Sequence, residues 1–224
     1  MDQQLGDLEA QVPTLSPGVT VLTATLRSSA HHQLVLATLQ SDRGPVIWID
    51  AGDTASTYTL YELTHRRRLL EEISIARAWT AYQHHSLIRQ AIKDVTPRTR
   101  LVVVPNVEAL YLVDDVDDDE ADWLLHSTIR TLAALAQARS IPILLTSARP
   151  DVLPDDCIDA ELEWEQTPEG ATFAGDAGRT MLHRGAWWWQ TTIPYWVDLF
   201  GGMEQDRWES MDTFVYGSPA ILEY

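Results

Sequence analysis

Apolar residues along the chain fall into two rhythms. Short runs rich in Val, Ile and Leu at 19–23, 46–50, 73–77, 101–104 and 141–146 have the length of strands. The most continuous of them, above all Leu101-Val102-Val103-Val104, read as strands buried on both faces of a sheet. Between them lie stretches with helical spacing. Residues 31–40 offer Leu34, Leu36 and Leu39 for packing before Gly44-Pro45 stops the pattern, and 58–70 and 82–95 follow the next two strands. The longest helical stretch, 123–139, places Leu124, Leu125, Ile129, Leu132, Leu135 and Ala136 along one side. Arg66, Arg67 and Arg68 fall near the end of the second stretch, where cations complement a helix dipole. The acid-rich interval 113–122 predicts an exposed loop leading into the last helix. From Ile158 onward the pattern shortens to alternation broken at Gly170, Gly175 and Gly178, which predicts antiparallel strands at one edge. Strands alternating with helices and followed by a β-rich tail predict an α/β three-layer sandwich. Its mostly parallel central sheet is covered on both faces. A single domain over 18–224, after a polar segment at 1–17, accommodates the whole pattern.

Charge changes this picture more than composition does. The chain carries 33 acidic against 16 basic residues, a formal net charge of -17, and Lys93 is its one lysine among arginines. An acidic surface almost without lysine is similar to that of halophilic archaeal proteins, in which self-repulsion is screened over roughly 3 Å at about 1 M salt. A GC-rich genome also favours Arg over Lys. On either reading most of the surface repels naked nucleic acid, because duplex binding relies on clustered Lys and Arg displacing counterions. Direct DNA contact is therefore expected to be weak or absent. No apolar run has membrane-spanning length, and the start Met1-Asp2-Gln3-Gln4-Leu5 lacks the basic and apolar regions of a secretory signal, so a cytoplasmic location with no membrane contact is expected. Cys157 is the single cysteine, which excludes an internal disulfide and a thiolate metal cluster, and Asp155 and Asp156 beside it should raise its pKa.

Candidate chemistry centres on the turn after the first strand. Strand, loop and helix across 19–36 make the frame in which nucleotide-binding proteins hold phosphates, yet the loop reads Ala24-Thr25-Leu26-Arg27-Ser28-Ser29-Ala30-His31. A phosphate cradle needs glycines that turn backbone N–H groups inward, a lysine for the outer phosphates and a hydroxyl for Mg²⁺. Here Ser29 and Ala30 stand where the last glycine and the lysine would fall, and His31 stands at the hydroxyl position. Other sites are less favoured. His31-His32 and His84-His85 lack partners at ligand spacing and read as surface or capping residues, so no metal site is expected. The acids at 113–122 lack the turn glycine and closing glutamate of a calcium loop. No Gly-x-Ser-x-Gly elbow occurs. Near the C-terminus, Trp187, Trp188 and Trp189 alternate sides of any strand they form. With Tyr195, Trp196 and Phe200 they make either a covered edge strand or a partner interface.

The order of elements and three strings together resemble the RecA/RadA recombinase family, which includes archaeal RadA, its paralogues and KaiC-like proteins. Ile73-Ser74-Ile75-Ala76-Arg77-Ala78-Trp79, followed by the helix opening Thr80-Ala81-Tyr82-Gln83-His84, is similar to the family's strand ending in Ala-Arg-Ala-aromatic. Leu101-Val102-Val103-Val104-Pro105-Asn106-Val107-Glu108-Ala109-Leu110-Tyr111 is similar to the second nucleotide motif. Ile141-Pro142-Ile143-Leu144-Leu145-Thr146-Ser147 is similar to the later strand ending in Thr-Asn-Gln. The resemblance spans roughly 18–150 and implies a RecA-like three-layer sandwich.

Departures from the family pattern coincide with its chemistry. Pro105, beside Asn106, replaces the metal-ordering aspartate; Gly52 falls where the water-activating glutamate belongs, with Asp50 and Asp53 near it; the phosphate-sensing glutamine is replaced near Ala148. Arg27, Ser28, Ser29, Ala30, His31, Asp50, Asp53, Pro105 and Asn106 thus mark a degenerate nucleotide site with no catalytic residue and no cofactor. Phosphoryl transfer depends on positioned charge around the phosphates. The resemblance then implies a pseudo-ATPase that modulates a RadA-type recombinase or paralogue by protein contact in recombination or repair. About seventeen residues precede the core, without the family's helical DNA-binding domain or a Phe-x-x-Ala segment, so filament growth by that route is not expected. A KaiC-like regulatory protein unconnected with repair, and an ATPase with a rearranged site using Asp50 or Asp53 for Mg²⁺, remain the alternatives.

Overall fold

Nine strands form one sheet in the order β3-β2-β4-β5-β1-β6-β7-β8-β9 among the described residues of the computed structural model. Those residues are 12–24, 28–51, 55–64, 66–113, 116–167, 170–175, 178–184 and 189–191. The chain divides into two units, Met1–Thr191 and Thr192–Tyr224, and every described residue lies in the first. In chain order the elements are β1 (Gly18–Thr23), α1 (Ala30–Ser41), β2 (Val46–Ala51), α2 (Thr57–Leu63), α3 (Arg67–Leu70), β3 (Ile73–Ala78), α4 (Ala81–Asp94) and β4 (Leu101–Val104). After them come α5 (Asp118–Arg139), β5 (Pro142–Ser147), β6 (Ala160–Thr167), β7 (Gly170–Gly175), β8 (Gly178–Arg184) and β9 (Trp189–Thr191). Strands β3, β2, β4, β5, β1 and β6 run parallel, and β7, β8 and β9 continue the sheet antiparallel.

Alternation along the parallel strands splits the core into two layers. Ile49, Val102, Val104, Ile143 and Leu145 meet Leu124, Leu125, Ile129 and Leu132 of α5 and Ile88 of α4 on one face. On the other face Val46, Trp48, Leu101, Val103 and Leu144 meet Leu34, Val35 and Leu39 of α1, with Trp164 and Phe173 extending the layer. Each such side chain contributes about 1.5–3 kcal/mol when fully buried, so both helical layers are held by apolar burial. The predicted α/β sandwich with antiparallel edge strands is therefore the observed fold. The chain leaves β1 toward the α1 layer and β4 toward the α5 layer, so loops of opposite direction open over the C-terminal ends of the parallel strands. That is where open α/β sheets bind ligands.

Several predicted elements differ in detail. The expected helix at 58–70 is two: Thr64 ends α2 in an extended conformation, its N–H bonded to the Leu60 carbonyl, and Arg67 and Arg68 belong to the separate turn α3 instead of closing a long helix. α5 starts five residues before Trp123, because Asp117 caps it by accepting from the Asp119 N–H at 3.2 Å, and Asp118, Asp119 and Glu120 complement the dipole in its first turn. β6 runs parallel to β1, so antiparallel pairing begins one strand later than the glycine pattern suggested. Gly18 opens β1 at φ 131, where a Cβ would lie 2.8 Å from the Asp159 carboxylate. That carboxylate accepts the Val19 N–H at 2.8 Å. Cys157 is buried, and burial followed by the neighbouring Asp156 pushes its thiol pKa up, as the sequence implied. Among the described residues no helix is long and apolar enough to cross a membrane.

Candidate functional site

Ser28, Ser29, Ala30 and His31 lie where the phosphate loop was expected, between the end of β1 and the first turn of α1. Their side chains are organised for packing. The Ser29 hydroxyl accepts from Gln33 Nε2 at 3.1 Å instead of capping α1, and the Ser28 hydroxyl is buried without a partner. His31 and His32 are both buried, their rings 4.1 Å apart and packed against Trp48 of β2 at 5.4 and 5.1 Å, one edge-on and one tilted. This corrects the surface reading of that pair: adjacent residues in the first turn of α1 both turn inward and pack together against one indole. Burial, then the neighbouring His32, lowers the His31 pKa to about 3. Burial lowers His32 to about 4, with Asp50 pulling the other way. His32 Nε2 accepts the Ser56 N–H at 3.3 Å, so the neutral ring carries its proton on Nδ1. Among Ser28–His31, therefore, no side chain carries positive charge at neutral pH.

Asp50, at the C-terminal end of β2, is fully buried and already engaged. It accepts the Ala55 N–H at 3.0 Å and Arg77 Nε at 2.8 Å, while Arg77 also donates to the Ala55 carbonyl at 3.3 Å. The pair is made by the register itself, since Asp50 stands opposite Arg77 across the parallel β2–β3 ladder. Arg27 and Asp53 lie outside the described residues, so Asp50 is the acid of the expected site whose geometry is defined.

At the end of β4, Pro105 is buried and Asn106 takes φ 48, a left-handed conformation Asn tolerates better than most residues. The Asn106 N–H donates to Thr146 Oγ1 at 2.9 Å, and the Val107 N–H donates to the Thr146 carbonyl at 3.1 Å. Glu108, which sequence reading passed over, is buried, and one of its oxygens accepts the N–H groups of Ala148 and Arg149 at 2.7 and 3.3 Å. The segment matching a second nucleotide motif thus acts as a clasp between the ends of β4 and β5. An acid set among Val107, Ala109 and Leu110 was the available signal.

A second unforeseen group lies between α4 and α5. The Tyr111 hydroxyl sits 2.9 Å from His84 Nδ1 and 3.0 Å from Thr128 Oγ1, and His85 Nδ1 is 2.9 Å from the same threonine. His84 is completely buried, again against the surface reading, and burial followed by His85 lowers its pKa to about 4 with Asp50 opposing. Burial pushes Tyr111 up to about 12. Structure thus brings Ser28–His31, Asp50, Pro105 and Asn106 to the same end of the sheet. The proposed interface is different: Trp187, Trp188, Tyr195, Trp196 and Phe200 lie outside the described residues, and only the backbone of Trp189 is placed, in β9.

Fold and site together define an α/β protein of the RecA-like three-layer sandwich type. Among curated proteins, the chain is similar to the DNA repair and recombination protein RadB of Methanocaldococcus jannaschii, with 24% identity over 110 residues. That match covers 46% of this chain and 52% of RadB, so the chain spans about half the length of the curated relative it matches. No protein-family model matches the chain.

Proposed function

We propose that this protein is a non-catalytic member of the RecA-like class that acts through protein contacts in DNA recombination or repair, its partner a RadA-type recombinase or paralogue. The observation that carries the reading is the filling of the phosphate position. At the residue where a hydroxyl would hold Mg²⁺, a neutral imidazole is buried against His32 and Trp48. Magnesium triphosphate does not fit these residues: a ligand of several negative charges would meet a buried aromatic cluster, with no cation among Ser28–His31 to offset desolvation. Asp50 is held by Arg77 and the Ala55 N–H. Support for the recombination context comes from the likeness to RadB and from the three strings that resemble the RecA/RadA family.

Calorimetric titration with Mg-ATP and a hydrolysis assay, both in concentrated KCl, test the catalytic half. No saturable heat and no phosphate release above background are expected, whereas micromolar binding with turnover overturns the proposal. Affinity purification from a salt-rich lysate tests the partner half. Recovery with a recombinase supports it, and repeated recovery with other proteins alone favours the KaiC-like regulatory alternative.

A further inference from the structure

Large aromatic side chains remain outside the core at one place where two helices begin. Trp123 of α5 is 65% exposed, Tyr82 of α4 51%, and Trp79, two residues before α4, 61%. Isolated exposed apolar residues are ordinary, but Tyr82 and Trp123 each meet a residue of the other helix. The Tyr82 hydroxyl lies near the Glu120 carboxylate across the two helices, and one turn further the His85 ring lies 6.4 Å from the Trp123 ring. The i,i+3 spacing of Tyr82 with His85 and of Glu120 with Trp123 makes these two cross-helix contacts a ladder. Leu112 and Val113, on the approach to α5, are exposed as well. In the first turns of α5 the acids Asp118, Asp119, Glu120 and Asp122 are exposed; on α4 the first cation is Arg89, one turn beyond His85, and the Arg77 guanidinium already lies over the Trp79 ring, 5.9 Å from its centroid.

We propose that this face docks a segment of a partner protein in which arginines alternate with apolar side chains. The inference rests on the reading that the chain works through protein contacts, and it supplies the chemistry of the partner. Guanidinium groups stack on Trp and Tyr faces and pair with carboxylates, so an aromatic surface fringed with acid selects Arg over other side chains. The same fringe disfavours the other occupants. Nucleic acid would meet the exposed carboxylates in the first turns of α5. Residues 192–224 of this chain hold Asp198, Glu204, Asp206, Glu209, Asp212 and Glu223 against the single cation Arg207, and a second copy brings a net charge of -17.

Fluorine NMR of the full chain carrying 5-fluorotryptophan, with resonances assigned by single Trp→Phe variants, tests the proposal. The probes are a short peptide alternating Arg with Leu, the same peptide with Glu for Arg, and oligothymidylate. Expected are saturable shifts of Trp123 and Trp79 with the Arg peptide, no movement of buried Trp48 and Trp164, and weakening by added salt. Trp123→Ala should weaken docking about tenfold or more, and Glu120→Gln by a smaller factor; both residues are exposed, so neither change threatens the fold. An unmoved Trp123 at saturating peptide overturns the proposal. So does an equal response to the Glu peptide or to oligothymidylate, and so does a Trp123 shift with protein concentration alone, which would assign the face to a second copy. Absence of docking by a protein that also binds no ATP removes this inference and leaves the proposed function standing, whereas ATP turnover removes the latter alone.

Discussion

Replacing Asp50 separates a structural acid from a metal-binding one. In Asp50→Ala the Ala55 N–H, on a buried residue, loses its acceptor, at a cost of about 1–3 kcal/mol. Arg77 also loses its partner at 2.8 Å, but its side chain is 36% exposed and water takes over much of that interaction, which limits this part to about 0–1 kcal/mol. Together these give a loss of about 1–4 kcal/mol, or a drop in Tm of about 2–16 °C for a chain of this size. Asp50→Asn keeps an oxygen for the Ala55 N–H and should cost about 1 kcal/mol. Reversible urea unfolding followed by circular dichroism in concentrated KCl reads both values, and Mg-ATP titration on the same samples reads any ligand effect. If Asp50→Ala is as stable as the parent within about 0.5 kcal/mol while Mg-ATP binding is present in the parent and lost in the variant, the acid is a ligand group and the reasoning fails.

Three further outcomes are expected. Tyr111→Phe removes the hydroxyl between His84 and Thr128 and leaves the buried His84 Nδ1 without a partner, while Thr128 keeps His85, so unfolding free energy should fall by about 1–3 kcal/mol; an unchanged urea midpoint would deny the network any part in stability. His31, His32 and His84 titrate in the folded chain at about 3, 4 and 4, below the ordinary value of 6.5. Between those values only the unfolded chain binds the protons, so stability should decline as pH falls from 6.5 toward 4, by up to about 1.4 kcal/mol per unit for each ring, and be indifferent to these rings above 6.5. A His31→Gln/His32→Gln variant should show a flatter slope between pH 6.5 and 5, and an identical slope would contradict the burial argument. Trp48→Ala empties the space that both imidazoles pack against and should cost about 3–5 kcal/mol, with a loss below 1 kcal/mol in chemical denaturation counting against a central role for that indole.

Local pattern determined the layers of this protein because burial has a period. Runs such as 101–104 can satisfy a two-sided apolar environment only as interior strands, and the Leu124–Ala136 spacing can cover a sheet only as a helix. The absence of glycine and lysine from the loop after β1 was equally plain, since it is a matter of residue type alone. What the sequence could not settle was which side chain meets which across the sheet. Trp48 draws His31 and His32 inward from what reads as a surface turn, and the β2–β3 register, which pairs residues 27 positions apart, delivers Arg77 to Asp50. Glu108 and Tyr111 look like unremarkable loop residues until β5 and α5 fold over them. Such contacts depend on the relative position of distant elements, which neighbouring residues do not encode, and they decide whether a histidine is a surface cation or a buried neutral ring.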